Sequence, residues 1–177
     1  ILDGVYYRAA IDAQKEHPLD GLVRARLSDY QARGVCLLRD GGDAWGVSLR
    51  ARELAGEYGI DYRSPAFPIY RRGHYGAFIG RGFDTEDEYR ALLDEAGETR
   101  ADFIKLMISG LIDFDHFGVL TEPGPEPQDI RRMIELAHAA GFAVMAHANG
   151  DRAVTAALQA GVDSIEHGAY LSESVLL

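Results

Sequence analysis

The chain has 177 residues, enough for one well-packed domain and giving no reason to posit two. Its composition, 47% hydrophobic, 26% charged and 10% aromatic, is ordinary for a globular protein. The net charge of −10, from 28 acidic and 18 basic residues, argues against nucleic acid or an anionic membrane surface as partner, since both want a basic patch. A single cysteine, Cys36, excludes an internal disulfide framework and points to a reducing, cytoplasmic compartment. No apolar run approaches the roughly 20 residues that cross a bilayer, and no signal peptide is visible. The chain opens at Ile1 without a Met and stops at Ser174-Val175-Leu176-Leu177, which reads as a helix's first turn. A piece of a longer protein is therefore expected.

Residues 1–17 carry no clear pattern. Pro18 to Ala32 places Leu19, Leu22, Val23, Leu27 and Tyr30 on one helix face, and Gly34 ends it. Val35 to Leu38 reads as a short buried strand, followed by Arg39-Asp40-Gly41-Gly42. Val47 to Tyr58 is a helix closed by Gly59. Ile60 to Tyr70 is mostly extended, with Pro65 and Pro68 limiting its regularity. Thr85-Glu86-Asp87-Glu88 opens the next helix with acidic residues where the helix dipole favours them. Phe103 to Ile108 is a strand. Gln128 to Ala140 and Asp151 to Ala160 are helices ended by Gly141 and Gly161, and each precedes a strand, Phe142 to His147 and Val162 to His167.

Five strands separated by helices imply parallel pairing through crossover units. A closed barrel and an open doubly wound sheet both satisfy this order. No G-x-G-x-x-G or P-loop follows any strand, which removes support for nucleotide binding. The two long insertions, Arg71 to Asp84 and Ser109 to Pro127, are both strand-to-helix loops, while the helix-to-strand turns are short. Elaboration at one end only is the habit of an eightfold barrel with its site at that face.

His147 and His167 end neighbouring strands at equivalent positions, so both are expected at the same mouth. Neutral imidazoles on rigid strand ends suit a zinc-type cation; for one such histidine alone, strand capping by hydrogen bonds is the better reading. Lys105 sits among apolar neighbours in a central strand, where a charge is costly. It has three ways out: carbamate formation with carbon dioxide, service as a Schiff-base nucleophile, or pairing with an acid such as Glu166 or Asp40. His74, Tyr75 and His116 lie on the long loops and are candidates to touch substrate; Arg71 and Arg72 are candidates for a substrate carboxylate. His138 reads as a surface residue and His17 as structural. Asn149 and Asp151 most simply cap the helix after His147.

Three segments in order carry a family resemblance: Ala101-Asp102-Phe103-Ile104-Lys105-Leu106-Met107-Ile108-Ser109-Gly110, Val144-Met145-Ala146-His147-Ala148-Asn149-Gly150, and Ala160-Gly161-Val162-Asp163-Ser164-Ile165-Glu166-His167-Gly168. They resemble the fourth, fifth and sixth strands of the amidohydrolase superfamily, in the branch of imidazolonepropionase-like and Xaa-Pro-dipeptidase-like enzymes. Leu38-Arg39-Asp40-Gly41 resembles the end of that branch's second strand. The resemblance implies an incomplete (β/α)8 TIM barrel over residues 1–177, about strands 2 to 6, forming part of a catalytic domain. It implies two divalent metals, zinc by preference, bridged by carboxylated Lys105, with His147 and His167 ligating the second. It implies hydrolysis of amide, peptide or cyclic amide bonds in a small dipeptide-like molecule by a metal-activated hydroxide.

The family's first-strand His-x-His pair is absent, since no two histidines here are two residues apart, and its eighth-strand aspartate is not found. The segment alone is therefore expected to be inactive. Two other readings stay open: a metal-free Schiff-base lyase or aldolase on Lys105, and a degenerate barrel kept as a binding module. Oligomeric state is equally open, although barrels of this kind often pair into homo-oligomers.

Overall fold

A computed structural model of the chain describes residues 7–177. It is an α/β fold in which every paired strand is parallel, arranged as two open sheets. The first two helices, α1 (Tyr7–Gln14) and α2 (Asp20–Ala32), precede β1 (Leu37–Arg39). Then come α3 (Val47–Ala55), a 3-10 turn (Gly56–Tyr58), β2 (Asp61–Arg63), β3 (Pro68–Arg71) and β4 (Arg81–Phe83). The last part alternates cleanly: α4 (Glu86–Glu98), β5 (Ile104–Met107), α5 (Pro127–Ala139), β6 (Val144–Ala148), α6 (Gly150–Gln159), β7 (Ser164–His167) and α7 (Glu173–Leu176). β1 pairs with β2; the larger sheet runs β4-β3-β5-β6-β7. No barrel closes among the described residues.

The extended stretch expected from Ile60 to Tyr70 is split. Pro65 brings no N–H to a ladder and Ala66 takes a positive φ of 64°, so the chain kinks between β2 and β3. Its first half pairs with β1 and its second half with β5. Gly42 packs into the kink, where a Cβ would stand 2.9 Å from the Phe67 Cα.

Two expectations need correction. The stretch Val35 to Leu38 is not a buried strand: β1 starts at Leu37, which is 60% exposed, because it is the edge of a two-stranded sheet. The insertion Arg71 to Asp84 is not all loop, because β4 adds an edge strand beside β3. From α4 onward the elements stand close to where the sequence places them, with β6 and β7 starting two residues later than expected. Thr85 caps α4 by accepting the Glu88 amide, Pro127 occupies the first turn of α5, and Gly141 and Gly161 end α5 and α6 with positive φ.

The larger sheet carries one helix layer, and strand alternation divides its residues. Ile104, Leu106 and Ile108 of the β5 segment, with Val144, Ala146 and Ala148 of β6, pack into a core with α4, α5 and α6. Lys105, Met107, Met145 and His147 face the other way. A second, smaller core joins α2, α3, β1 and β2 through Val23, Leu27, Val47, Leu54 and Tyr62. Among the described residues no helix is long and apolar enough to cross a membrane.

Candidate functional site

The face turned away from the helices forms a cleft of about 350 Å³. One part of its lining is chemical: Arg39, Lys105, His147, Glu166 and His167. The other is apolar: Pro68, Phe78, Met107, Leu111 and Met145, with Tyr75 at the join.

Lys105 is 6% exposed, central in its sheet between β3 and β6. Burial pushes its ammonium down to about 8, against a smaller upward pull from Glu166; the Arg39 charge adds to the fall. Among the described residues no carboxylate lies within ion-pair distance of it. Both acids that might have paired with it are engaged: Glu166 by Arg39 at 3.2 Å, and Asp40 by the Tyr62 hydroxyl at 2.5 Å and the Gly42 amide at 2.6 Å. An amine so placed readily reaches its neutral, nucleophilic form.

His147 is 2% exposed, and its Nε2 lies 3.2 Å from the Gly110 carbonyl oxygen. A carbonyl only accepts, so Nε2 carries the proton and Nδ1 keeps a bare lone pair. Burial lowers this imidazole to about 4, with the Gly110 contact opposing and the His167 and Lys105 charges assisting. The Tyr75 ring stacks on it, with centroids 5.0 Å apart.

His167 reaches the cleft by a different route from the one strand equivalence suggests. In the β6–β7 ladder His147 stands opposite Glu166, and His167 opposite Ala148, whose side chain belongs to the helix-side core. Strict alternation would turn His167 away. Instead its φ is 74°, and the Gly168 amide donates to both the Glu166 carbonyl and the Ala148 carbonyl at 3.1 Å. The first of these bonds closes a γ-turn centred on His167, a rare and strained conformation. Glu166 and His167 therefore both line the cleft, and the two imidazole rings meet edge to face at 4.8 Å. Burial and the nearby Lys105 lower the His167 pKa.

The loop residues divide. Tyr75 lines the cleft, but His74 does not; its Nδ1 is 2.9 Å from Glu122 Oε2, while Glu122 Oε1 accepts the Tyr75 amide at 2.8 Å. Glu122 thereby ties the two long loops together. His116 stands on the second loop's exposed tip beside Asp113, outside the cleft lining. Arg71 and Arg72 are paired with Asp129 and with Asp84 and Glu88. His138 bonds Asp163, and His17 is exposed.

Asn149 and Asp151 are not side-chain caps of α6. Asn149 is buried and links three strand ends: its Nδ2 donates to the Gly110 carbonyl at 3.2 Å, its amide to Ser109 Oγ at 2.9 Å, and its Oδ1 accepts from Ala169 at 3.0 Å. Asp151 accepts the Ser172 amide. The Gly110 carbonyl is thus a shared anchor for His147 and Asn149.

Among the described residues no group of three His, Cys, Asp or Glu side chains stands together as a metal site. Two neutral imidazoles are present, and Lys105 is the third donor within the same cleft once it gives up its proton. This donor set fits a divalent cation of the zinc type.

Comparison with known proteins follows the same direction. No protein-family model matches the chain. The curated ochratoxinase of Aspergillus niger is 28% identical over 146 residues, covering 80% of this chain and 28% of that protein. A solved Xaa-Pro dipeptidase, with methionine bound in its active site, superposes with a TM-score of 0.68 at 20% identity, covering 93% of this chain and 46% of the other. A solved prolidase in complex with N-methylphosphonate-L-proline gives 0.61 at 25% identity, covering 82% and 40%. The chain thus spans about a quarter to a half of the length of these relatives. Together they are consistent with the amidohydrolase superfamily, the resemblance already carried by the Lys105, His147 and His167 segments.

Proposed function

We propose that this chain is the central part of a metal-dependent amidohydrolase barrel, and that Lys105, His147 and His167 belong to its metal centre. The observation that carries this reading is the convergence of three groups from three adjacent parallel strands on one cleft: a desolvated lysine, unpaired among the described residues, and two neutral imidazoles. Lys105 takes up carbon dioxide as a carbamate, with loss of the amine proton, becoming an anion with two oxygens. His147 offers Nδ1 while Gly110 holds its Nε2–H. His167 is presented by its γ-turn. Bound there, two zinc-type ions would lower the pKa of a water molecule and polarise the scissile carbonyl.

The remaining lining suggests how a substrate is held. The wall of Phe78, Met107, Leu111 and Met145 takes an apolar substituent of a small amide or dipeptide-like molecule. Tyr75, stacked on His147, stands between this wall and the reacting groups. His74, fixed by Glu122 beside Tyr75, and His116 on the neighbouring loop lie outside this lining, and a role for them in touching substrate is proposed only through movement of the two loops that carry them. The 177 residues hold an incomplete ligand set, so activity is proposed of a protein that supplies the other ligands, in a reducing cytoplasmic setting. Pairing of such barrels into homo-oligomers belongs to the same proposal.

The test is hydrolysis of a panel of dipeptides and cyclic amides by the complete protein and its Lys105→Ala variant. Loss of activity, partly restored by acetate as a small carboxylate substitute, is expected; full activity in the variant overturns the assignment. The lowered Lys105 pKa also suits a Schiff base, so borohydride with a carbonyl substrate separates the two chemistries. Covalent trapping at Lys105 would favour the lyase reading.

A further inference from the structure

We propose that Arg39 is a positioning residue for His167, a clamp from β1 that holds the end of β7 in the shape that turns this imidazole into the cleft. The two strands belong to different sheets and share no backbone pairing. Arg39 Nη2 nevertheless donates to Ser164 Oγ at 2.7 Å and to Glu166 Oε1 at 3.2 Å. Its guanidinium carbon also lies 5.4 Å from the Phe103 ring centroid. Ser164 and Glu166 flank Ile165, which packs on the helix-side core, so one guanidinium holds both β7 side chains of the opposite face.

The consequence lies in the next residue. The Glu166 carbonyl is the acceptor that closes the γ-turn about His167. A strained backbone conformation persists only where its surroundings over-determine it. On one side the Ala148 carbonyl holds the Gly168 amide; on the other, Arg39 fixes the Glu166 side chain. The Arg39 and Glu166 side chains are 46% and 39% exposed, so the ion pair itself adds little stability in water. Its geometry matters more, because one guanidinium nitrogen shared by Ser164 and Glu166, on a cation whose carbon lies over the Phe103 ring, ties the two β7 side chains to one point. An arginine that is weak as a stabiliser is well suited as a ruler.

The test uses Arg39→Met, which keeps much of the stem and loses the fork, Arg39→Lys, which keeps the charge, and Ser164→Ala, which removes one contact. On the metal-free full chain, the imidazole proton–nitrogen resonances of His167 should shift and broaden in both Arg39 variants, and shift less in Ser164→Ala. The His138 resonances should stay in place. Zinc affinity by titration calorimetry should fall about 10- to 100-fold in both Arg39 variants. This second arm rests on the proposed ligand role of His167; the first does not. The titration is made on the complete protein, which supplies the other ligands; if it binds no zinc with Arg39 intact, the metal-centre reading fails and the resonances alone decide the clamp. Unchanged His167 resonances in folded Arg39→Lys and Ser164→Ala would overturn it.

Discussion

The imidazole rings of His147 and His167 lie 4.8 Å apart, edge to face, although the two residues are not opposite each other in the β6–β7 ladder. A positive φ at His167 closes the one-residue offset, and with Lys105 one strand further on the three groups share one cleft. Several measurable consequences come from this arrangement and from the burial that accompanies it.

Lys105 should make the protein more stable as the solution becomes alkaline. Its folded pKa, about 8, lies below the ordinary 10.5, so between these values the unfolded chain binds the extra proton and stability rises with pH. At about 1.4 kcal/mol per unit, the full effect is roughly 3 kcal/mol. Urea denaturation between pH 7 and 10 should show this slope in the parent chain and lose it in Lys105→Met.

His147 should work in the opposite range. Its folded pKa is about 4 against 6.5, so the unfolded state binds the proton first and stability falls as pH drops from 6.5 toward 4. A ring titration followed by nuclear magnetic resonance should give a midpoint near 4 for His147. A midpoint at 6 or above would contradict its buried, neutral state.

Asn149→Ala should cost about 1–3 kcal/mol, because it strips partners from the buried Gly110 carbonyl and the Ala169 amide at once. A thermal melt measures the loss. Asn149→Asp should recover only part of it, since a carboxylate can accept the Ala169 amide but cannot donate to the Gly110 carbonyl.

Glu122→Ala should loosen the two long loops without unfolding the sheet. Glu122 accepts the Tyr75 amide and holds the His74 ring. Hydrogen exchange at Tyr75 should speed up in the variant, while amides of β5 and β6 keep their protection.

Much of this architecture was legible before any coordinates. The last third declares itself because Ile, Leu and Val runs alternate with helices that end in glycine, and Lys105 and His147 stand out among apolar neighbours on the face opposite the core. β4 escaped because three residues, Arg81-Gly82-Phe83, are too short to show a period. β1 was misjudged because an apolar quartet says nothing of whether a strand is central or at an edge. The inward turn of His167 violates the alternation rule and depends on a backbone angle that leaves no mark in the sequence. The Arg39–Glu166 contact spans 127 positions, and only the folding of β1 toward β7 brings it about.

The most direct measurement is the metal content of the complete protein, purified without chelator, beside its His147→Ala variant. The account predicts about two zinc-type ions per chain, as a two-metal hydrolase requires, with a clear reduction in the variant. Protein that carries no divalent metal, or a metal content unaffected by the loss of His147, would contradict it.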